Sequence, residues 1–401
     1  MLSGKHILLG ITGGIAAYKT TFLVRLLITA GAKVKVILTP SASSFVSPLT
    51  LATLSKNPVL SSFVNEENGS ISWNNHVELG LWADMMLIAP ATANTLSKMA
   101  SGTCDNLLLA AYLSAKCPVF FAPAMDLDMY KHPSTLASFE KLQSFGNIII
   151  PATSGELASG LYGEGRMAEP EEMVRFIKRY LLKGMPLQGK KVLVTAGPTY
   201  EAIDPVRFIG NHSSGLMGFE LAKAAANLGA EVILISGPSH LHIEHDLIRL
   251  IRVVSAEEMY VQVHQFYKEM DIAISAAAVA DYRPKTIAVQ KIKKNEAEFS
   301  LELVKNKDIL SSMGMQKEHQ FLVGFALETE NEVENAEKKL KKKNLDAIVL
   351  NSLNDSGAGF KKETNKISFI DKNSTIKTFE LKTKTAVALD IMNEIIKRIH
   401  A

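Results

Sequence analysis

The chain writes the same opening twice. Gly4–Pro40 reads GKHILLGITGGIAAYKTTFLVRLLITAGAKVKVILTP, and Gly189–Pro238 reads GKKVLVTAGPTYEAIDPVRFIGNHSSGLMGFELAKAAANLGAEVILISGP. Each passes from an apolar strand through a glycine-containing loop into an amphipathic helix, stops at Gly-Ala and enters a second apolar strand. That is the βαβ opening of a doubly wound sheet, whose first loop faces a phosphate. Two such openings in 401 residues predict two α/β domains with two nucleotide-type sites, and so two linked activities.

Continuous apolar runs suit parallel strands buried on both faces. They fall at Ile7–Gly10, Val34–Leu38, Met85–Ala89, Val119–Ala122 and Ile148–Ile150, with helical patterns such as Lys19–Ala30 and Asn106–Ser114 between them. Strands near Val192–Thr195, Val232–Ile235, Ile272–Ser275, Phe321–Phe325 and Ala347–Leu350 repeat the alternation. Two Rossmann-like parallel sheets follow, the first flavodoxin-like. The turn-rich LLKGMPLQG, Leu181–Gly189, sets the boundary, giving domains 1–186 and 187–401. The end differs, with short strands at Lys366–Asp371 and Thr378–Lys382 before a helix at Lys384–Ile399. A net charge of +3 gives no electrostatic basis for nucleic-acid or membrane binding. No apolar run nears the roughly 20 residues that cross a bilayer. The first strand begins within five residues, which predicts no signal peptide. Cys104 and Cys117 form neither a disulfide framework nor a metal-ligand spacing, so the expected compartment is the cytoplasm.

In the first half, Thr12-Gly13-Gly14-Ile15-Ala16 offers backbone N–H groups and a helix start to a phosphate. It is not G-x-G-x-x-G, and the second strand closes on Leu38-Thr39-Pro40 without an acidic residue for a ribose, so a mononucleotide fits best. Ala89–Thr95 and Pro123–Tyr130 occupy strand carboxyl ends, where ligands bind in such sheets. The GGIAAYK loop, HVELGLWAD, PATANTLSKMASG, PAMDLDMY and GEGRMAEP together resemble the flavin-dependent cysteine decarboxylases, which include phosphopantothenoylcysteine decarboxylase. The resemblance implies bound FMN, with Gly13, Gly14, Ile15, Thr39, Thr92, Ala93 and Asn94 as its contacts. It implies a substrate ending in a cysteine carboxylate, held by Met125, Arg166 and Met167, with Asp126, which would repel that carboxylate if ionised, neutral, turned away or used differently. Flavin would oxidise the thiol carbon so that the carboxylate leaves as carbon dioxide, with His76 as the assisting base. Two positions depart from the family. Asp126 stands where asparagine usually contacts the carboxylate, and Ser159 where a cysteine usually protonates the ene-thiolate. We expect the reaction to finish on a proton from Glu156, Tyr162 or Glu164. The alternative is a first half that only oxidises or serves as a regulatory binding unit.

In the second half the glycine loop is longer. Gly197–Gly215 is rich in turn formers and ends in Ser213-Ser214-Gly215 at a helix start, a seat for an anion. SAAAVADY, Ser275–Tyr282, closes a strand with small residues that let a nucleotide lie against the backbone. Two lysine groups follow, in Lys291–Lys294 and in Lys305-Asn306-Lys307-Asp308-Ile309, suited to neutralising a triphosphate. DPVRFIGNHSSGLMG, AAAVADYRP, KIKK, LVKNKDI, VGFALET and KKNLD resemble phosphopantothenate–cysteine ligase, which bacterial members join to the decarboxylase in one chain and run on CTP. The resemblance implies activation of 4'-phosphopantothenate as an acyl-cytidylate, which the L-cysteine amine then attacks. Asn211 would hold that intermediate, with Arg207, Ser213 and Ser214 near the acid. Ser275, Ala276, Ala277, Asp281, Lys291, Lys305–Ile309, Phe325, Lys339 and Lys343 would bind CTP. Lys339 and Lys343, four apart on one face of the charged stretch Glu328–Lys343, are assigned to the nucleotide and the other lysines there to solvent. Mg²⁺ is expected on the CTP phosphates without a dedicated carboxylate cage, Asp281 being the one candidate. The resemblance also implies a homo-oligomer, with trimeric decarboxylase domains carrying FMN sites at subunit contacts, and dimeric ligase domains.

Overall fold

Alternate residues of each apolar strand face opposite sides of a sheet, so a strand apolar at every position must be covered on both. That is the arrangement in the computed structural model, which describes residues 1–67, 70–293, 300–328, 330–352 and 363–400 and divides into two units, Met1–Leu181 and Leu182–Ala401. In the first unit Ile7, Leu9 and Ile11 join Leu23, Val24 and Leu27 in one core, whereas Leu8 joins Leu108, Leu109 and Phe121 on the other face. Gly10 has no room for a side chain, because a Cβ there would lie 2.3 Å from Leu108 Cδ1. Its absence lets the helix Leu107–Ser114 press onto the sheet.

The first sheet is parallel throughout and runs Val59–Leu60, Lys33–Leu38, His6–Ile11, Met85–Ala91, Val119–Pro123, Ile148–Ile149. In chain order this is 3-2-1-4-5-6. Without the two-residue edge strand Val59–Leu60 it is the flavodoxin-like 2-1-3-4-5. The helix predicted over Lys19–Ala30 is a 3₁₀ turn, Ile15–Lys19, followed by an α-helix, Thr20–Thr29. Gly31, with φ +82°, turns the chain out of it.

The second unit repeats the order. Its strands run Ile248–Arg252, Glu231–Ser236, Lys191–Ala196, Ile272–Ser275, Phe321–Glu328, Ala347–Ser352, then Ile367–Asp371 and Ile376–Thr378 antiparallel at the edge. The helix Leu216–Asn227 lies close on the first strand, since a Cβ on Gly218 would sit 2.5 Å from Ala196 Cβ. Lys384–Ile399 is a helix as predicted, its Val387, Ile391 and Ile395 in one core with Leu221 and Ala225. The strand expected over Thr378–Lys382 is absent as a unit. Ile376–Thr378 pairs with Ile367–Asp371, while Lys382–Thr383 pairs with Thr364–Asn365. No helix among the described residues is long and apolar enough to cross a membrane.

In both sheets the order reverses beside the first strand, between His6–Ile11 and Met85–Ala91 and between Lys191–Ala196 and Ile272–Ser275. The crevice outside the carboxyl ends of such strands is where ligands bind. Both glycine loops open there.

Candidate active sites

At the first switch point Thr12 joins the two crossing segments. Its Oγ1 donates to Pro90 O at 2.7 Å and accepts from Thr92 N–H at 3.3 Å. Beside it lies a cavity of about 500 Å³ whose lining includes Gly13, Thr39, Ser41, Thr92, Ala93, Asn94 and Met125. Five of the seven predicted flavin contacts therefore line one chamber. Gly13 abuts the turn Pro40–Ser44, a Cβ on it falling 2.4 Å from Ser41 Oγ. Thr92 opens the helix Ala93–Ser101 without a side-chain cap, leaving first-turn N–H groups directed at the crevice. A chamber with glycine backbone, hydroxyls and an uncapped helix start fits a flavin mononucleotide and its phosphate.

A second cavity, about 480 Å³, shares Ala124 and Met125 with the first and includes Gly14, Ile15, Lys19, Asp126, Glu156, Arg166 and Met167 in its lining. Its roof is the hairpin Thr153–Glu156 with Tyr162–Arg166. The hairpin is seated through Gly165, whose carbonyl accepts from Met125 N–H at 3.0 Å. Gly165 has φ +130°, and a Cβ on it would meet Met125 O at 2.4 Å, so only glycine fits. Lys19 is buried, and its Nζ donates to Met167 O at 3.0 Å and Glu169 Oε1 at 2.8 Å. The Lys19 hydrogen bond holds the Glu169 carboxyl below its ordinary value against the opposing effect of burial, with Arg166 adding to it. Asp126 accepts from Leu127 N–H through Oδ1 at 2.6 Å and caps the short helix Leu127–Lys131.

Four predicted residues, Ser159, Tyr162, Glu164 and His76, do not line this chamber. Ser159 is exposed in the hairpin turn, where its Oγ accepts from Leu161 N–H at 3.5 Å. All three proposed donors are exposed, and of them only Glu156 lines the cavity. His76 lines neither chamber. It begins the helix His76–Trp82, with Phe63 and Trp73 edge-on to its ring and its buried Nδ1 without a hydrogen-bond partner.

At the second switch point Gly197 and Gly215 touch. A Cβ on Gly215 would lie 3.2 Å from Gly197 Cα, and both have positive φ. The long loop carries a hairpin, Tyr200–Ala202 with Phe208–Gly210. Beyond it Asn211 Nδ2 crosses the crevice to Ala278 O at 3.0 Å and Val279 O at 3.2 Å. Ser213 and Ser214 bond back to Gly215 and Leu216 N–H at the start of the helix Leu216–Asn227. Ser275 ends its strand beside Thr195, to which Ala276 and Ala277 N–H donate. Asn306 ties its own segment to this one, its N–H donating to Asp281 O and its Nδ2 to Ala280 O. Lys339 Nζ donates to Phe325 O at 2.8 Å, and Lys343 Nζ lies 2.7 Å from Asp308 Oδ2. Burial works to raise the Asp308 carboxyl; the Lys343 and Ser311 hydrogen bonds, with the charges of Lys343 and Lys339, outweigh it and hold it low.

The remaining predicted residues divide. Lys291 and Lys305 are exposed, Lys305 opposite Tyr282 in the hairpin Tyr282–Pro284 with Leu303–Lys305. Lys307 is held by Glu257 at 2.6 Å. Ile309 is a core residue, so only its backbone can serve a ligand. Arg207 is engaged by a residue that the sequence reading passed over, the buried Asp204, through Nε at 2.9 Å and a terminal nitrogen at 2.5 Å. Lys19 and Ser41 were also missed. Their signal was present only as position, Lys19 closing the GGIAAYK loop and Ser41 following Thr39-Pro40. Among the described residues no group of three His, Cys, Asp or Glu could hold a metal ion.

A family model described as Flavoprotein matches residues 1–182, and one described as DNA/pantothenate metabolism flavoprotein C-terminal domain matches residues 187–399. A coenzyme A biosynthesis bifunctional protein CoaBC of Bacillus subtilis is 44% identical, covering 98% of this chain and 97% of its own. That of Haemophilus influenzae is 45% identical, covering 99% and 98%. A cysteine/cysteine sulfinic acid decarboxylase from an unknown prokaryotic organism is 56% identical over 88% of this chain and all of its own. Among solved structures, the C-terminal domain of a CoaBC protein is 42% identical, covers 54% of this chain and 99% of its own, and superposes with a TM-score of 0.47.

Proposed function

Because the chain belongs to the CoaBC family of coenzyme A biosynthesis bifunctional proteins, we propose that it carries out two successive reactions. The second unit joins L-cysteine to 4'-phosphopantothenate through an acyl-cytidylate formed from CTP, and the first removes the carboxyl carbon of the product. The observation that carries the first half is the pair of adjoining chambers meeting at Ala124 and Met125. One suits a flavin mononucleotide, the other a substrate laid against it. FMN, when bound, supplies the oxidant for the thiol carbon. The chain's own residues then hold the cysteinyl end under the hairpin and deliver a proton. Glu156 is the donor we assign, since it lines the chamber and Ser159 does not, and a hydroxyl is a poor acid. His76 acts from a neighbouring copy of the first unit. Ile15 and Tyr18, exposed at the chamber's edge, give that copy an apolar surface to cover.

In the second unit Asn211 holds the acyl-cytidylate, and Lys291, Lys339 and Lys343 neutralise the triphosphate. Mg²⁺ rides on the phosphates, with Asp281 as its protein carboxylate. Supplying 4'-phosphopantothenate, cysteine and CTP and identifying every product by mass spectrometry tests both halves. No CTP-dependent pyrophosphate rejects the ligase, and an undecarboxylated conjugate rejects the first unit's role.

One observation favours a second substrate for the first unit. An ionised Asp126 beside a substrate carboxylate is repulsive unless a cation lies between them. Free cysteine brings such a cation in its α-ammonium, and the 56% identical relative is named for cysteine. Carbon dioxide released from cysteine without CTP or phosphopantothenate would support this substrate; none would exclude it.

A further inference from the structure

Asp204 has little exposed surface, yet five hydrogen bonds converge on its carboxylate. Oδ1 accepts from Val206 and Arg207 N–H, each at 2.8 Å, fixing a turn within the long glycine loop. Oδ2 accepts the Arg207 fork and, from 88 residues away, Ile292 N–H at 3.2 Å. Arg207 completes the grip by donating to Ile292 O at 3.0 Å. Both polar groups of one residue in the lysine segment are thus held by one ion pair, and Ala288 N–H adds a tie to Ile203 O at 3.0 Å. Lys291 and Lys293 flank the gripped residue and are exposed. The Arg207 hydrogen bond, against burial and with three backbone N–H groups, keeps Asp204 far below the carboxylate range, so the grip persists at any physiological pH.

We propose that Asp204 and Arg207 are positioning residues that clamp the Ile292 peptide and thereby set Lys291 and Lys293 for the nucleotide triphosphate. The assignment rests on the ligase reading of this unit. It also gives Arg207 a role other than contact with the acid substrate. A lysine cannot replace the planar fork that bonds the carboxylate and a carbonyl together. Asparagine at 204 turns an N–H group towards the arginine or Ile292 donors in place of an acceptor.

The test uses the full chain with Asp204→Asn and Arg207→Lys. Two measurements are made on each: Michaelis constants for CTP and 4'-phosphopantothenate by pyrophosphate release, and limited trypsin cleavage after Lys291 and Lys293 mapped by mass. The clamp predicts that both variants raise the CTP constant about tenfold or more and leave the phosphopantothenate constant within about twofold. It also predicts tryptic cutting at those two lysines at least about tenfold faster, with other sites unchanged. Arg207→Lys keeps Asp204 and its turn, so it serves if Asp204→Asn does not fold. A rise in the phosphopantothenate constant alone overturns the proposal, as does unchanged cutting. A wild-type chain inert towards CTP refutes the ligase reading and the nucleotide part of the inference, while the tryptic comparison still decides the clamp.

Discussion

Gly13→Ala is the sharpest perturbation of the flavin chamber, because the geometry at that residue fixes both the damage and its remedy. A Cβ there would lie 2.4 Å from Ser41 Oγ, 2.8 Å from Ser41 Cβ and 3.0 Å from the Ser41 carbonyl carbon. Carbon atoms rest at about 3.5–4.0 Å, so the Thr12–Ala16 loop and the Pro40–Ser44 turn must separate by roughly 1 Å. Overpacking of that size costs about 1–3 kcal/mol. The loop and the turn both line the chamber, so the cost falls on flavin binding, weakening it about 5- to 150-fold. Part also falls on the first unit's melting temperature, about 2–4 °C for each kcal/mol. Titrating flavin-free protein with FMN and following flavin fluorescence measures the first, and a thermal melt the second. Ser41→Gly removes the two nearest colliding atoms. Gly13→Ala on that background should therefore bind FMN within about threefold of Ser41→Gly alone. A Gly13→Ala protein that binds FMN like the wild type refutes the packing argument. So does a double variant that loses as much affinity as the two single variants combined.

Three further outcomes follow from particular contacts. Glu156→Gln should stop the first unit at the oxidised ene-thiol, seen by mass, whereas Ser159→Ala, Tyr162→Phe and Glu164→Gln should release finished product; completion by Glu156→Gln would remove it as donor. Glu394, buried on the last helix, is lowered to about 2, its Lys377, Arg398 and Lys397 bonds overcoming burial. Its folded value lies below the unfolded one, so its stabilisation is present above about pH 4.5 and lost as pH falls towards 2; Glu394→Gln should cost at most about 3 kcal/mol in urea at pH 7 and little at pH 2. Lys19→Met removes the stronger of the two cation bonds to Glu169 and leaves the one from Arg166; the depressed carboxyl stabilises above its unfolded value and ceases to as pH falls through the folded one. With Glu169 two-fifths exposed the loss at pH 7 should be only about 0.5–1 kcal/mol, and the acid limb of stability should flatten.

The strands and the last helix were legible because burial on both faces, or on one helical stripe, leaves a periodic mark in the residues themselves. Lys384–Ile399 repeats its apolar residues at helical spacing, and Ile272–Ser275 is apolar throughout save its last residue. Thr378–Lys382 left no such mark. Ile376–Thr378 and Lys382–Thr383 are exposed edge strands, so nothing in their residues tells which partner each takes. The chamber that five of the predicted flavin contacts line was legible because those residues follow three strand ends on one edge of the sheet. Lys19 was not, since a lysine is ordinarily exposed and the carboxylate that permits its burial stands 150 residues away. Asp204 was unreadable for the same reason. Its Asp-Pro looks like a plain turn, and its distant partner is a peptide group, which any sequence would supply.

The two units share the order 3-2-1-4-5-6 but diverge at the first loop, and that loop decides what each crevice can take. In the first unit only Thr12–Gly14 separate strand from 3₁₀ turn, so the crevice stays open and its second wall must come from elsewhere, from the hairpin over Met125. An open crevice suits a broad, flat ring system and a substrate stacked upon it. In the second unit the loop folds its own hairpin, and Asn211 reaches across to the Ala278 and Val279 carbonyl groups beyond the neighbouring strand, closing the crevice with polar contacts from within. Such a crevice suits a polar, branched intermediate whose reacting carbonyl must be fixed between two successive attacks. The shared sheet thus determines where both ligands lie. What they are depends on a loop whose length differs because one unit borrows its roof from later in the chain and the other builds it at once.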